Sequence, residues 1–191
     1  MLQSNDELVK NEVSSRYSRY LLVIGILAIA FSLSFVLRMQ PAEYGLELNE
    51  FDPFFNYRAT AFVVENGLPA YFEWNDDLSW HPYGRDVSAT SQVMLHASTA
   101  MLYQTFGGGS TLYDFTIWFP VIIGSLTTIV VFALVRTIGG TTAGLLASLF
   151  FSIAPIIILR GSIGWFKSEP LGLFYALLAV YLLLSGIKSD R

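Results

Sequence analysis

FTIWFPVIIGSLTTIVVFALV, residues 115–135, runs without a single charged side chain. At 1.5 Å per residue such a helix reaches about 30 Å, the thickness of a bilayer's hydrocarbon core. A helix on the surface of a soluble domain would carry a polar stripe along one face, and this run has none. Read as a membrane span, it sets the fold class for everything around it. Three more uncharged apolar runs repeat the pattern: YLLVIGILAIAFSLSFVL (20–37), TTAGLLASLFFSIAPIIIL (141–159) and LGLFYALLAVYLLLSGI (171–187). The expectation is an all-α polytopic membrane protein with four transmembrane helices.

Composition agrees. The 191 residues are 53% apolar and only 14% charged, below what a soluble domain of this length carries. The first run is too long for a signal-peptide core, and no small-residue cleavage site follows it, so it reads as an uncleaved anchor after a leader, residues 1–19. Without cysteine there is neither a disulfide framework nor a thiolate metal site. The net charge of −4 excludes nucleic acid as a partner.

Four crossings put both ends on one side. Lys10, Arg16 and Arg19 in the leader, Arg136 between the second and third runs, and Lys188 and Arg191 in the tail place that side in the cytosol. The loop 38–114 holds ten acids against Arg38, Arg58 and Arg85, and belongs outside the cell membrane. The second outer loop, 160–170, departs from the rule with Arg160 and Lys167.

Within the long loop, LNEFDPFFNYRATAF (48–62) begins a helix. Asp52 is a preferred N-cap residue and Pro53 suits the next position, while Gly67 and Pro69 stop the helix after Asn66. Phe51, Phe55, Ala59 and Phe62 form one apolar stripe, as expected of an amphipathic helix at the outer surface. A carboxylate has acceptor capacity beyond one cap, so Asp52 can also hold a hard cation such as magnesium or manganese. Glu47 and Glu50 read as a solvated face. VMLHASTAMLYQTF (93–106) is too short to span, and suits an interfacial or protein-covered helix with His96 packed inside.

In WNDDLSWHPYGRD (74–86), Trp74 and Trp80 suit an aromatic belt, and His81-Pro82 with Tyr83-Gly84 indicates a turn. Asp76 and Asp77 read as solvated, His81 as either structural or a metal ligand, and Arg85 as a phosphate contact or a partner of Asp86. Gly107 to Gly109 read as a hinge. The small-xxx-small spacing of Gly140 and Gly144 lets helices approach. In RGSIGWFKSEP, Arg160 and Lys167 are adequate as snorkelling anchors and Glu169 as a helix-start acid.

Together, EFDPFFNYR, WHPYGRD and GGTTAGLLASLFFSIAPIIILRGSIGWFKSEPLGLF, in that order, resemble the amino-terminal part of the oligosaccharyltransferase catalytic subunit, of prokaryotic and archaeal type. The resemblance implies a GT-C type glycosyltransferase fold with its site on the outer face. It implies transfer of a glycan from a lipid-linked oligosaccharide donor to asparagine of Asn-x-Ser/Thr in an acceptor polypeptide, with Mn2+ or Mg2+ as cofactor. Asp52 takes the place of the acid that ligates the metal and contacts the acceptor amide. Glu169 and His81 complete the implied ligand set, and Arg85, Lys167 and Arg160 the phosphate contacts. One position departs: aligned on Arg160 and Gly164, the family's first acid of the second loop falls on Lys167. A charged lysine cannot ligate a metal. Lys167 then binds phosphate as a point charge, or the metal rests on Asp52 and Glu169 with help from His81, or activity is lost. The family's later spans and its Trp-Trp-Asp-Tyr-Gly domain lie beyond these residues, so the chain by itself is expected to be inactive. A non-catalytic scaffold or assembly subunit with a degenerate site is the competing reading.

Overall fold

The computed structural model describes the backbone of residues 2–189 and the side chains of residues 16–188. Among the basic residues expected at the two ends, the Lys10 side chain and Arg191 lie outside that description.

The elements run α1 (Leu2–Met39), a 3-10 turn (Gln40–Tyr44), α2 (Phe51–Tyr71), β1 (Asn75–Asp76), β2 (Arg85–Asp86), α3 (Val87–Thr90), α4 (Val93–Phe106), α5 (Leu112–Ile153), α6 (Pro155–Leu159) and α7 (Ser168–Ser189). Three stretches, Arg16–Tyr44, Leu112–Ile153 and Ser168–Lys188, are long and apolar enough to cross a membrane by length and composition. The second lies in the middle, packed between α1 and α7. Its apolar window is largely buried, whereas those of α1 and α7 keep most of their surface uncovered.

Despite its length, α5 is a hairpin. At Gly140 the backbone leaves helical geometry (φ 82°, ψ 176°). Past that point Gly144 returns so close that a Cβ there would sit 2.8 Å from the Phe132 carbonyl and 3.1 Å from the Arg136 amide. Along a straight helix, residues 132 and 144 would be about 18 Å apart. The pair Gly140/Gly144 therefore does not act as one packing motif: Gly144 permits the close approach, while Gly140 meets nothing and makes the reversal. The expected run 141–159 is also not a single helix. It breaks at Ala154 (φ −67°, ψ 116°), because Pro155 disfavours helical geometry in the preceding residue and has no N–H to give.

The helix ends sort into two groups. Arg16, Arg19, Arg136 and Thr141 line one cavity, and Lys188 Nζ donates to the Thr137 carbonyl at the same end of the bundle. At the other end the Ile163 amide donates to the Arg38 carbonyl (3.0 Å) and the Gly164 amide to the Ile117 carbonyl (3.1 Å). Arg38 is itself buried there, donating to Ser34 and, at 3.3 Å, to the Ile157 carbonyl.

The long loop covers this second end. α2 packs on α4, with Phe62 stacked on Trp74 (4.2 Å between centroids) over a small core of Ala59, Val63, Tyr71, Val87 and Ala100. α2 breaks at Gly67 (φ 82°), where the sequence indicated a stop. Its packed face takes in Phe55, Ala59 and Phe62 of the expected stripe but not Phe51. Phe51 is 92% exposed, whereas Pro53, Asn56, Ala59, Thr60 and Val63 are buried. The helix also starts two residues early, so Asp52 lies in its first turn and Glu50 stands at the N-cap position, without a side-chain cap. α4 is the protein-covered alternative, with His96 fully buried. Asn75 to Asp86 form an antiparallel hairpin whose turn carries His81 and Pro82. Asp76 is not solvated: it is 3% exposed and ion-paired to Arg58. Asp77 is exposed, as expected.

Candidate functional site

The loop end of the bundle brings residues 47–52 against residues 160–169, which lie more than a hundred positions later. Two bonds close the two segments together, and a third ties Leu48 to α5. The Asn49 amide donates to the Gly164 carbonyl (3.0 Å), Asn49 Nδ2 donates to the Ile163 carbonyl (3.1 Å), and the Leu48 amide donates to Tyr113 Oη (3.3 Å). Gly164 sits at φ 76°, and any Cβ on it would overlap the Glu47 carbonyl, so only glycine allows the segments this close. Leu48, Ile163 and Phe166 then fill one apolar cluster with Ile117 and Phe119 beneath the joint.

This closure delivers Lys167 to two carboxylates. Its Nζ lies 2.7 Å from Glu50 Oε2 and 3.1 Å from Asp52 Oδ2, and 4.4 Å from the centre of the Trp165 ring. The lysine side chain is 12% exposed, while the Glu50 and Asp52 side chains are 53% and 73% exposed. Burial by itself lowers the ammonium pKa, but the hydrogen bonds and charges of Glu50 and Asp52 outweigh it, and the net shift is upward. Glu50 reaches this position in a strained backbone, φ 71° and ψ 176°, a region that essentially only glycine occupies.

The other sequence-derived candidates fall elsewhere. Glu169 pairs with Arg160 at 3.3 Å, and the Arg160 guanidinium lies 5.3 Å from the Trp165 ring. His81 is exposed in the hairpin turn. Arg85 does not pair with Asp86: it lies 4.0 Å from the Phe55 ring and 5.0 Å from the Trp80 ring and donates to Thr90, while Asp86 caps α3 by accepting from the Ala89 amide (3.1 Å). Among the described residues no three histidine or acidic side chains gather closely enough to hold a metal ion. A divalent cation does not fit Asp52, Glu169 and His81 as they stand, since an ammonium already occupies the Asp52 carboxylate.

A buried relay fixes the segment that carries Lys167. Tyr71 Oη lies 2.7 Å from His96 Nδ1, His96 Nε2 lies 3.1 Å from Asn56 Oδ1, and Asn56 Nδ2 donates to the Phe166 carbonyl (2.9 Å). With the Asn56 amide donating to Phe166, its oxygen must accept from His96 Nε2–H, leaving Nδ1 to accept from tyrosine. That is the neutral imidazole. Burial first and the Arg85 charge second push the His96 pKa down to about 3. Glu50, expected on a solvated face, instead pairs with Lys167, and Asn56 and Tyr71 had no role assigned from the sequence. The available signal was Lys167 itself, a lysine where the resemblance implies an acid.

Residues 20–191 match the family "Oligosaccharyl transferase STT3, N-terminal". The chain belongs to this family. Relatives within it include the dolichyl-diphosphooligosaccharide–protein glycosyltransferase subunit STT3B of Arabidopsis thaliana, 29% identical over 93% of this chain, and subunit STT3 of Dictyostelium discoideum, 26% identical over 99%. This STT3-family chain spans about a quarter of the length of those relatives, 25% and 27%. Its fold is that of the archaeal oligosaccharyltransferase AglB from Archaeoglobus fulgidus, solved with an inhibitory peptide and a dolichol-phosphate (TM-score 0.74, 21% identity, 87% of this chain and 20% of that one). A second Archaeoglobus oligosaccharyltransferase structure, complexed with Zn and sulfate, superposes with a TM-score of 0.71 at 22% identity, over 83% of this chain and 21% of that one. The expected all-α membrane fold of GT-C type is borne out.

Proposed function

We propose that these residues form the amino-terminal part of an oligosaccharyltransferase that moves a glycan from a lipid-linked donor to asparagine of Asn-x-Ser/Thr in an acceptor polypeptide. The observation that carries this reading is the family match across residues 20–191. The end carrying Arg16, Arg19, Arg136 and Lys188 faces the cytosol by the positive-inside rule, which puts the paired loops outside, with lipid against the bare faces of α1 and α7. There the 73%-exposed Asp52 carboxylate is an acceptor for the N–H of the asparagine side-chain amide. Holding that amide orients its nitrogen toward the sugar carbon from which the donor phosphate departs. Arg160 and Lys167, flanking Trp165, supply positive charge on the phosphate side, where negative charge develops in the transition state. Arg85 keeps the hairpin in place instead, because its guanidinium is taken up by Thr90 and two aromatic rings.

The test is the complete polypeptide assayed on an Asn-x-Thr peptide with its lipid-linked donor. Asp52→Ala should lower turnover at least about 100-fold, the scale of losing one oriented polar group at a reacting centre. An unchanged rate would remove Asp52 from the site. One observation favours the scaffold reading instead: Lys167 holds the carboxylate that catalysis would use. A folded, complete wild-type protein without glycosyl transfer would decide for it.

A further inference from the structure

We propose that the Lys167 ammonium is the resident cation of the Glu50–Asp52 carboxylate pair and takes the place of a divalent metal at that point. Three observations on independent parts of the chain meet here. The ammonium lies within hydrogen-bonding distance of both carboxylates, 2.7 and 3.1 Å, which is the geometry of a charge-assisted contact rather than a passing surface pair. Its third side faces the Trp165 ring at 4.4 Å, and an aromatic face attracts a cation. Finally, Glu50 is held in a glycine-only backbone region, and its side chain contributes one of the two acids. Strain of that kind persists only where the surroundings over-determine it, here through the Asn49–Gly164 and Asn49–Ile163 bonds.

The charges argue against a metal entering beside the lysine. Two carboxylates and one ammonium leave a single negative charge, and a divalent ion bound to Asp52 would sit within a few ångströms of Nζ in repulsion with it. Displacing the ammonium requires it to leave two acids and an aromatic face, and it is only 12% exposed. Nor does the site supply replacements, since Glu169 is matched by Arg160. The site therefore keeps a fixed, non-exchangeable positive charge next to Asp52, and its ligands meet a cation that chelators do not remove.

Binding of Mn2+ alone tests this, read by the loss of the free-ion paramagnetic signal on titration into the complete protein in detergent. Neither donor nor acceptor is present, so the outcome does not depend on whether the protein glycosylates. Wild type and Asp52→Asn should give superimposable curves up to about millimolar Mn2+, the weak end for carboxylate sites. Lys167→Asp should gain a saturable site at least about tenfold tighter than any wild-type binding, lost again in Lys167→Asp with Asp52→Asn. A saturable wild-type site that Asp52→Asn abolishes overturns the proposal, and this comparison stands even if Lys167→Asp fails to fold. A Lys167→Asp protein with wild-type thermal unfolding but no gained site overturns it too, since the acids would then not frame a cation position.

Discussion

Asn56 Nδ2 and the Phe166 carbonyl lie 2.9 Å apart across 110 positions of sequence, and this one bond ties α2 to the segment that presents Lys167. Asn56 is 2% exposed and also accepts from His96, so its removal strands two buried groups. Each unsatisfied group costs about 1–3 kcal/mol. Asn56→Ala should therefore lose at least about 2 kcal/mol in denaturant unfolding in detergent. Asn66→Ala, whose bond is local to an exposed helix turn, should stay within about 0.5 kcal/mol. Equal losses would mean that the cross-link is not a stabilising contact.

His96 gives the fold a pH dependence of definite sign. Its ordinary pKa is 6.5 and its folded value about 3, so the unfolded chain binds the proton more readily than the native one. The stability due to neutral His96 is complete above pH 6.5 and falls as pH drops from 6.5 toward 3. The slope approaches about 1.4 kcal/mol per pH unit for one proton. Thermal unfolding of wild type and His96→Gln across that window should show a steep acid loss in the first and a shallower one in the second. Parallel curves would place the proton uptake elsewhere.

The parts of this molecule legible in the sequence are those set by near neighbours in the chain. Uncharged runs fix α1, α5 and α7, because in a membrane each backbone group has to be satisfied within its own helix. Gly67 ends the first stretch of α2 whatever it packs on. Phe51 and Asp76 were misplaced for the opposite reason. A stripe on a helical wheel does not reveal that Asn56 and Thr60 are needed inside, and two aspartates in a turn do not reveal that Arg58, eighteen residues earlier, will cover one of them. Lys167 marked itself as a departure, but its carboxylates come from Glu50 and Asp52 across the joint between two loops. No local pattern encodes that meeting.

Gly164 sets how closely those loops meet. Alanine there brings both a strained positive φ and an overlap with the Glu47 carbonyl, a backbone atom that cannot swing aside. Gly164→Ala should cost at least about 2 kcal/mol, the middle of the range for such backbone strain. It should also part the segments enough to expose Lys167. Labelling with an amine-reactive reagent, read by mass spectrometry, should modify Lys167 faster in the variant while Lys188 keeps its wild-type rate. A variant that labels Lys167 at the wild-type rate would show that the glycine does not control the joint.

Glu50 separates backbone strain from charge. Its ion pair joins the 12%-exposed Lys167 ammonium to a 53%-exposed carboxylate. The backbone at φ 71°, ψ 176° costs about 1–3 kcal/mol for any residue with a Cβ and little for glycine. Glu50→Ala and Glu50→Gly both delete the carboxylate, so the ion pair cancels between them. Glycine gives back about 0.5–1 kcal/mol through the greater freedom of its unfolded chain, and the remainder favours it. Glu50→Gly should therefore be more stable than Glu50→Ala by about 1 kcal/mol, measured by denaturant unfolding in the same detergent. Alanine equal to or above glycine would mean that Glu50 is held at its carboxylate alone, with the main chain free to relax.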